Sequence, residues 1–335
     1  MDQPEAKEIA LAEPGEPRAA AAASTPGSAG GGAMGFARPR EASPAIALAR
    51  AALGALPAQA GPAPCPTCGG VGMEGAMATA SYVYALGQIE ARFPRPSVEK
   101  EMAQATGRAD TAGQTDQQAF YQVLSQRENR YLARQICWVL TIQGLETYIV
   151  QPRDPADLDL LIGAIEPRES PWISTVIGVR GPIAPPDYCN GLMVPIAIFD
   201  QIYTFSRDAL IEAIPRPEQI AAEAFGAASR ELFDRIMLMT DNAGATDEHR
   251  ALNYLAVRYP AIYARAAQSF AQDFSLSAVD VRPSPLSGTR RIVDVIFSYA
   301  NRNTDFTEKY FVRVDVTDEF PYLVTKLSPY YDWGL

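Results

Sequence analysis

From Tyr310 to Thr317 the chain alternates strictly: Tyr310, Val312, Val314 and Val316 interleave with Phe311, Arg313, Asp315 and Thr317. A period of two sends successive side chains to opposite faces, so the segment reads as a strand with one buried face. Upstream, RRIVDVIFSYA supplies a hairpin partner across the loop NRNTDFT. Apolar, β-branched and aromatic runs predict further strands at residues 81–93 (SYVYALGQIEARF) and in ICWVLTIQG and LETYIVQP, which turn at Gly144. Two more follow at 174–180 and 193–205.

Between these runs the period lengthens to that of helices. Residues 97–107 read as a short helix closed by Gly107. Thr115 followed by Gln118 is a capping-box pattern, in which each side chain satisfies the other residue's free amide, and it opens a helix to about Arg134. Asp154 before Pro155 marks another helix start. The stretch 217–273 is helical: FDRIMLM ends at NAG, where Gly244 suits a left-handed cap, and Thr246 caps the helix beginning DEHRALNYLAV. Strands, then helices, then strands predict an α+β fold, with a largely antiparallel sheet and a central helical section.

Composition divides the chain. Residues 1–63 are mostly Ala, Gly, Pro and Ser with scattered charge, too poor in large apolar side chains to offset ordering entropy. They read as a disordered leader or linker, with 42–56 able to form only a marginal helix. Residues 64–335 then form a single domain. The leader lacks the apolar core of a secretory signal, and no run of about 18 apolar residues occurs. The expected location is therefore cytoplasmic. A formal net charge of −10 disfavours nucleic acid and anionic membrane as partners. The densest basic spot, Arg290 and Arg291, reads as a solvated strand end.

There are four cysteines. In a reducing compartment they are not expected to form two disulfides. Cys65-Pro66-Thr67-Cys68-Gly69-Gly70 has the spacing at which two thiolates grip one tetrahedral ion, and the glycines let amide groups turn toward sulfur. A closed zinc site needs four ligands. Cys137, at the start of a strand, and Cys189, in the turn PPDYCNG, are the remaining two. The expectation is one structural Zn²⁺ on Cys65, Cys68, Cys137 and Cys189. The bland alternative leaves Cys137 as a buried small hydrophobe, Cys189 as incidental and the CPTC pair as a redox or two-ligand fragment.

Other chemistry is sparse. His249 is the one histidine, in the first turn of a predicted helix, and no nucleophile motif accompanies it. Asp154, Asp157 and Asp159 fit helix capping better than a Ca²⁺ or Mg²⁺ site, for they lack the EF-hand glycine and terminal glutamate. Tyr330, Tyr331 and Trp333 read as packing of the C-terminal tail.

The segments SYVYALGQIEARFP, LSQRENRYLARQICWVLTIQGLETYIVQPRDPADLDLL, VIGVRGPIAPPDYCNGLMVPI, NAGATDEHRALNYLAVRYPAIY and EKYFVRVDVTDEFPYLVTKLSPYYD resemble the C-terminal domain of cyanobactin maturation proteases of the PatA/PatG type. The likeness runs from about Cys65 to the end. It implies a zinc-containing accessory domain of ribosomal-peptide modification, with Cys65, Cys68, Cys137 and Cys189 as the matching cysteines. The family's protease or macrocyclase domain and its Asp-His-Ser triad are missing from this sequence, so that activity is not carried over. The expected role is non-catalytic: a zinc-stabilised domain that binds a peptide or a partner enzyme and is able to self-associate through a strand edge. The competing expectation is a cysteine- or zinc-dependent hydrolase using His249.

Overall fold

Five strands close on themselves in the first half of the computed structural model, which describes residues 81–106, 114–168, 171–239 and 241–331. They are β1 (Tyr82–Arg92), β2 (Cys137–Ile142), β3 (Leu145–Pro152), β4 (Trp172–Ile183) and β5 (Pro195–Ser206), in the order β1-β2-β3-β5-β4. All neighbours are antiparallel except β3 and β5, which run parallel. Alternation fills the barrel: Val83, Ala85 and Ile89 of β1, Trp138, Leu140 and Ile142 of β2 and Phe199 of β5 share one core. The helices α1 (Pro96–Thr106), α2 (Asp116–Leu124), α3 (Arg130–Ala133) and α4 (Leu158–Ala164) add Val98, Met102, Val123, Leu132 and Leu161 to it. Phe199 is fully buried, and truncation to alanine there costs roughly 3–5 kcal/mol.

The strands are staggered. Tyr82 opposes Val179, Val179 opposes Ile198 and Ile198 opposes Gln151, whereas Cys137 opposes Arg92 at the other end of β1. A bulge lets the circuit close. Gly178 faces Phe199 and Ile177 faces Gln201, so Asp200 is the extra residue on β5. At Gly178 any Cβ would collide with the Ile198 and Phe199 backbone, which is why only glycine fits.

The second half packs helices on an open sheet. After α5 (Arg207–Ala213) come α6 (Ala222–Met237), α7 (Asp247–Arg258) and α8 (Ala261–Ala271). The sheet has the order β10-β8-β7-β6, built from β6 (Phe274–Pro283), β7 (Ile292–Asn301), β8 (Thr307–Asp315) and β10 (Ser328–Pro329), with β9 (Tyr322–Leu323) also on β8. Val312, Val314 and Val316 are fully buried against Leu252, Leu255 and Phe233 of the helices, as the alternation predicts.

Buried amides fasten this half to the barrel. Asn242 and Asn253 exchange side-chain hydrogen bonds of 2.8 and 3.1 Å, and the Asn253 amide donates to the Tyr84 carbonyl at 2.8 Å. The Tyr84 N–H donates in turn to Gly244 O at 2.9 Å. Each of these groups would be costly to leave unpaired away from water.

The α+β class and helical centre are as expected, but one largely antiparallel sheet is not what forms. There are two sheets, and one is a closed barrel with a parallel pair. The helix expected to reach Arg134 stops at Leu124, because the buried Asn129 amide donates to Val123 O at 3.0 Å and competes with the helical ladder. Gly244 is left-handed (φ 69°) but caps nothing: α6 ends at Met237, and Gly244 instead permits close approach to β1. The expected leader at 1–63 and its helix at 42–56 lie outside the described residues.

Candidate functional site

The outer face of the barrel brings two distant cysteines together. Val139 opposes Ile149, so two positions further on Cys137 and Gln151 share the same outward face of β2 and β3. The connection from β4 to β5 folds back over this face. Tyr188 N–H donates to Pro185 O at 3.0 Å and Gly191 N–H to Pro186 O at 2.8 Å, and left-handed Asn190 (φ 47°) and Gly191 (φ 86°) reverse the chain. Tyr188 accepts a hydrogen bond from the Gln151 amide, and burial pushes its phenol up from the ordinary range. Beneath this lid Cys137 and Cys189 are buried, with a Cα–Cα distance of 5.9 Å across 52 residues of sequence.

The sequence reading assigned Cys137 and Cys189 as zinc thiolates; here their sulfurs are bonded to one another as a disulfide. The lid holds the two Cα atoms at a spacing ordinary for that bond. Cys65 and Cys68 lie outside the described residues. Among the described residues, no three His, Cys, Asp or Glu side chains cluster in a way that would hold a metal ion. Half of the expected donor set thus converges, in oxidised form. A zinc ion would need this pair reduced and two more donors.

A polar cluster lies further along β3 and β5. Arg153, just past β3, places Nη2 2.6 Å from Asp200 Oδ2 and 3.6 Å from Glu319 Oε2. Burial, followed by the neighbouring Asp200 carboxyl, pushes the Glu319 carboxyl up to about 7. The loop bearing Glu319 is gripped from behind by Arg250 of α7. That guanidinium is almost fully buried and donates to Val316 O at 2.7 Å, to Asp318 O and to Glu319 O at 3.3 Å. It also lies 5.2 Å from the Tyr82 ring centroid, and burial pushes its pKa down to about 10. Sequence reasoning missed this cluster. The available signal was Asp200, one acid inside the apolar run PIAIFDQIYTF.

His249 caps with its backbone, donating its N–H to Thr246 Oγ1 at 3.2 Å, while its Nδ1 is buried without a partner among the described residues. Burial lowers its pKa, against the opposing charges of Glu248 and Asp241. No thiol or hydroxyl hydrogen-bonds the ring among the described residues. Asp154 accepts from Ala156 N–H at 2.9 Å, with Pro155 opening the turn, and Asp159 pairs with Arg130. Arg290 and Arg291 are engaged in ion pairs, with Asp315 at 2.7 Å and Asp247 at 3.2 Å, and are not merely solvated. Tyr330 stacks edge-on with Phe311 at 5.7 Å, whereas Tyr331 is largely exposed and Trp333 lies outside the described residues. No helix among the described residues is long and apolar enough to cross a membrane.

Comparison with known proteins bears on the whole of this architecture. A solved structure described as the PatG domain of unknown function superposes with a TM-score of 0.60 at 19% identity, over 75% of this chain and 99% of that one. At that identity the likeness is one of fold. No curated protein matches. A family model described as PatG C-terminal matches residues 219–330, which run from just before α6 to the end of β10 and leave both barrel cysteines outside the match. Residues 219–330 are thus similar to the PatG C-terminal family, and the fold resembles that of the PatG domain of unknown function.

Proposed function

We propose that this chain is a non-catalytic accessory domain of a peptide-modification pathway, stabilised by zinc, that binds a peptide or a partner enzyme. The observation that carries the zinc reading is the convergence of Cys137 and Cys189 beneath the 184–194 lid. Sulfurs that approach closely enough to bond can, once reduced, also share one ion, because zinc holds its thiolates at about 2.3 Å. Cys68 precedes Ser81, where the described chain begins, by thirteen residues. That length of chain reaches at most roughly 43–47 Å, a span that allows Cys65 and Cys68 to approach the barrel face. Zinc so held by Cys65, Cys68, Cys137 and Cys189 would tie the arriving chain, β2 and the lid to one point and add folding free energy. The peptide-pathway role rests on the PatG C-terminal likeness.

Metal analysis of the full chain, purified under reducing conditions, is the test. The expected result is about one zinc per chain, lost in both Cys68→Ser and Cys189→Ser. Metal-free protein, or zinc retained in both variants, overturns the proposal. His249→Ala separates the hydrolase reading: it changes little if the domain is non-catalytic, whereas under the hydrolase reading it abolishes turnover while zinc content and fold stay those of the parent.

A further inference from the structure

β6 is the long strand whose outer edge pairs with nothing among the described residues: β7 lies on one side and no strand on the other. The register slips between Leu276 and Ala278, and Pro283, which lacks an N–H, ends the strand. In the segment between, Ala278, Asp280 and Arg282 are exposed, while Val279 and Val281 half-cover the rim of the core. Bulges, prolines and charges usually guard an edge against pairing. Here the two charges have opposite sign and stand two residues apart, on one face of the strand.

That pattern is complementary to itself. In an antiparallel pair centred on Val281, Asp280 faces the partner's Arg282, and Arg282 faces the partner's Asp280, as a two-fold interface requires. Arg282 is held ready, 5.2 Å from the Tyr330 ring centroid and donating to the Tyr330 hydroxyl. We propose that β6 is a self-pairing edge, joining two copies of this chain antiparallel about Val281 so that the open sheet continues from one copy into the other. The pairing spans Val279–Pro283, satisfies the outward-facing backbone groups of alternate residues within it and covers Val279 and Val281. It is independent of the zinc reading.

Sedimentation equilibrium of the full chain, with and without two charge reversals, tests this. A dimer is expected in the micromolar range. Asp280→Arg alone and Arg282→Asp alone each weaken association about tenfold, by setting like charges opposite one another. The double reversal D280R/R282D restores it to within a few-fold of the parent. A chain that stays monomeric at about 100 μM overturns the proposal, as does a dimer indifferent to the single reversals or one not rescued by the double. Circular dichroism of each variant separates lost pairing from lost fold. A variant that fails to fold is replaced by Asp280→Lys or Arg282→Glu in the same scheme.

Discussion

Glu319 and Asp200 share one guanidinium: Arg153 Nη2 lies 3.6 Å from Glu319 Oε2 on the loop after β8 and 2.6 Å from Asp200 Oδ2 on the β5 bulge of the barrel. The groups facing Glu319 are Asp200, Arg153 and Arg250. The two arginines favour its charged form, yet burial and Asp200 outweigh them. The protonated form of Glu319 is therefore favoured in the fold, and the shared Arg153 links the barrel to the loop after β8.

The sign of its pH dependence follows. Glu319 is raised from 4.5 to about 7, so the folded state holds a proton that the unfolded state releases. Its stabilising contribution is full below pH 4.5 and is lost as pH rises through 7. Glu319→Gln keeps a neutral polar group of the same size beside Asp200 and does not titrate. Urea unfolding between pH 5 and 8 should show parent stability declining relative to the variant, with the variant equal to or above the parent at pH 8. Parallel profiles for the two proteins would refute the raised Glu319 carboxyl.

Arg250 is the largest fully buried side chain among the described residues, and three carbonyls of the 316–319 loop depend on it. Arg250→Ala leaves those oxygens without a donor and opens a cavity, with an expected loss of roughly 3–5 kcal/mol by denaturant unfolding. Arg250→Lys keeps the charge but lacks the planar fork, so it recovers only part of that loss. Hydrogen exchange should locate the first opening at residues 316–323. Exchange unchanged there in Arg250→Lys would mean that the loop is held by something else.

The local elements were legible in the sequence where one period dominated. The Tyr310–Thr317 alternation puts its valines in the core, though the strand ends at Asp315 and that residue is buried too; the Thr115/Gln118 capping box and the turn at Gly144 form as read, because each depends on residues within a few positions. Barrel closure was not legible. The parallel β3–β5 pair joins residues far apart, and no local pattern tells a strand which neighbour it will take. Cys137 could be read as a strand residue, but its outward direction follows from the register with β3. Glu319 and Asp200 were hidden for the same reason, being separated by more than a hundred residues of sequence.

Gly178 marks where that closure is tightest. Gly178→Ala would drive a methyl group into the Ile198 and Phe199 backbone beside the bulge at Asp200. The backbone there cannot yield without breaking the β4–β5 ladder, so a loss of about 3 kcal/mol or more is expected. Gly163, around which a Cβ meets nothing, is the control: Gly163→Ala lies within helix α4 and should be neutral or stabilising by up to about 1 kcal/mol. Equal melting temperatures for the two variants would refute the crowding argument.

The Cys137–Cys189 bond closes a loop of 52 residues, which in the chain-entropy account stabilises the fold by about 4 kcal/mol. Reduction in the presence of a chelator should therefore lower stability by up to that amount. The decisive step is what zinc then does. If the reduced pair joins Cys65 and Cys68 on one ion, adding zinc to the reduced chain restores most of the lost stability, because the metal spans a still longer stretch of sequence. Cys65→Ser should block that recovery while leaving the oxidised protein's melting temperature untouched, since Cys65 takes no part in the disulfide. Cys137→Ser should lose both forms of stabilisation. Thermal melts of parent, Cys65→Ser and Cys137→Ser, each oxidised, reduced, and reduced with zinc, separate the two roles. Recovery by zinc in Cys65→Ser equal to that of the parent would leave the disulfide as the brace of the lid and remove the four-cysteine ion.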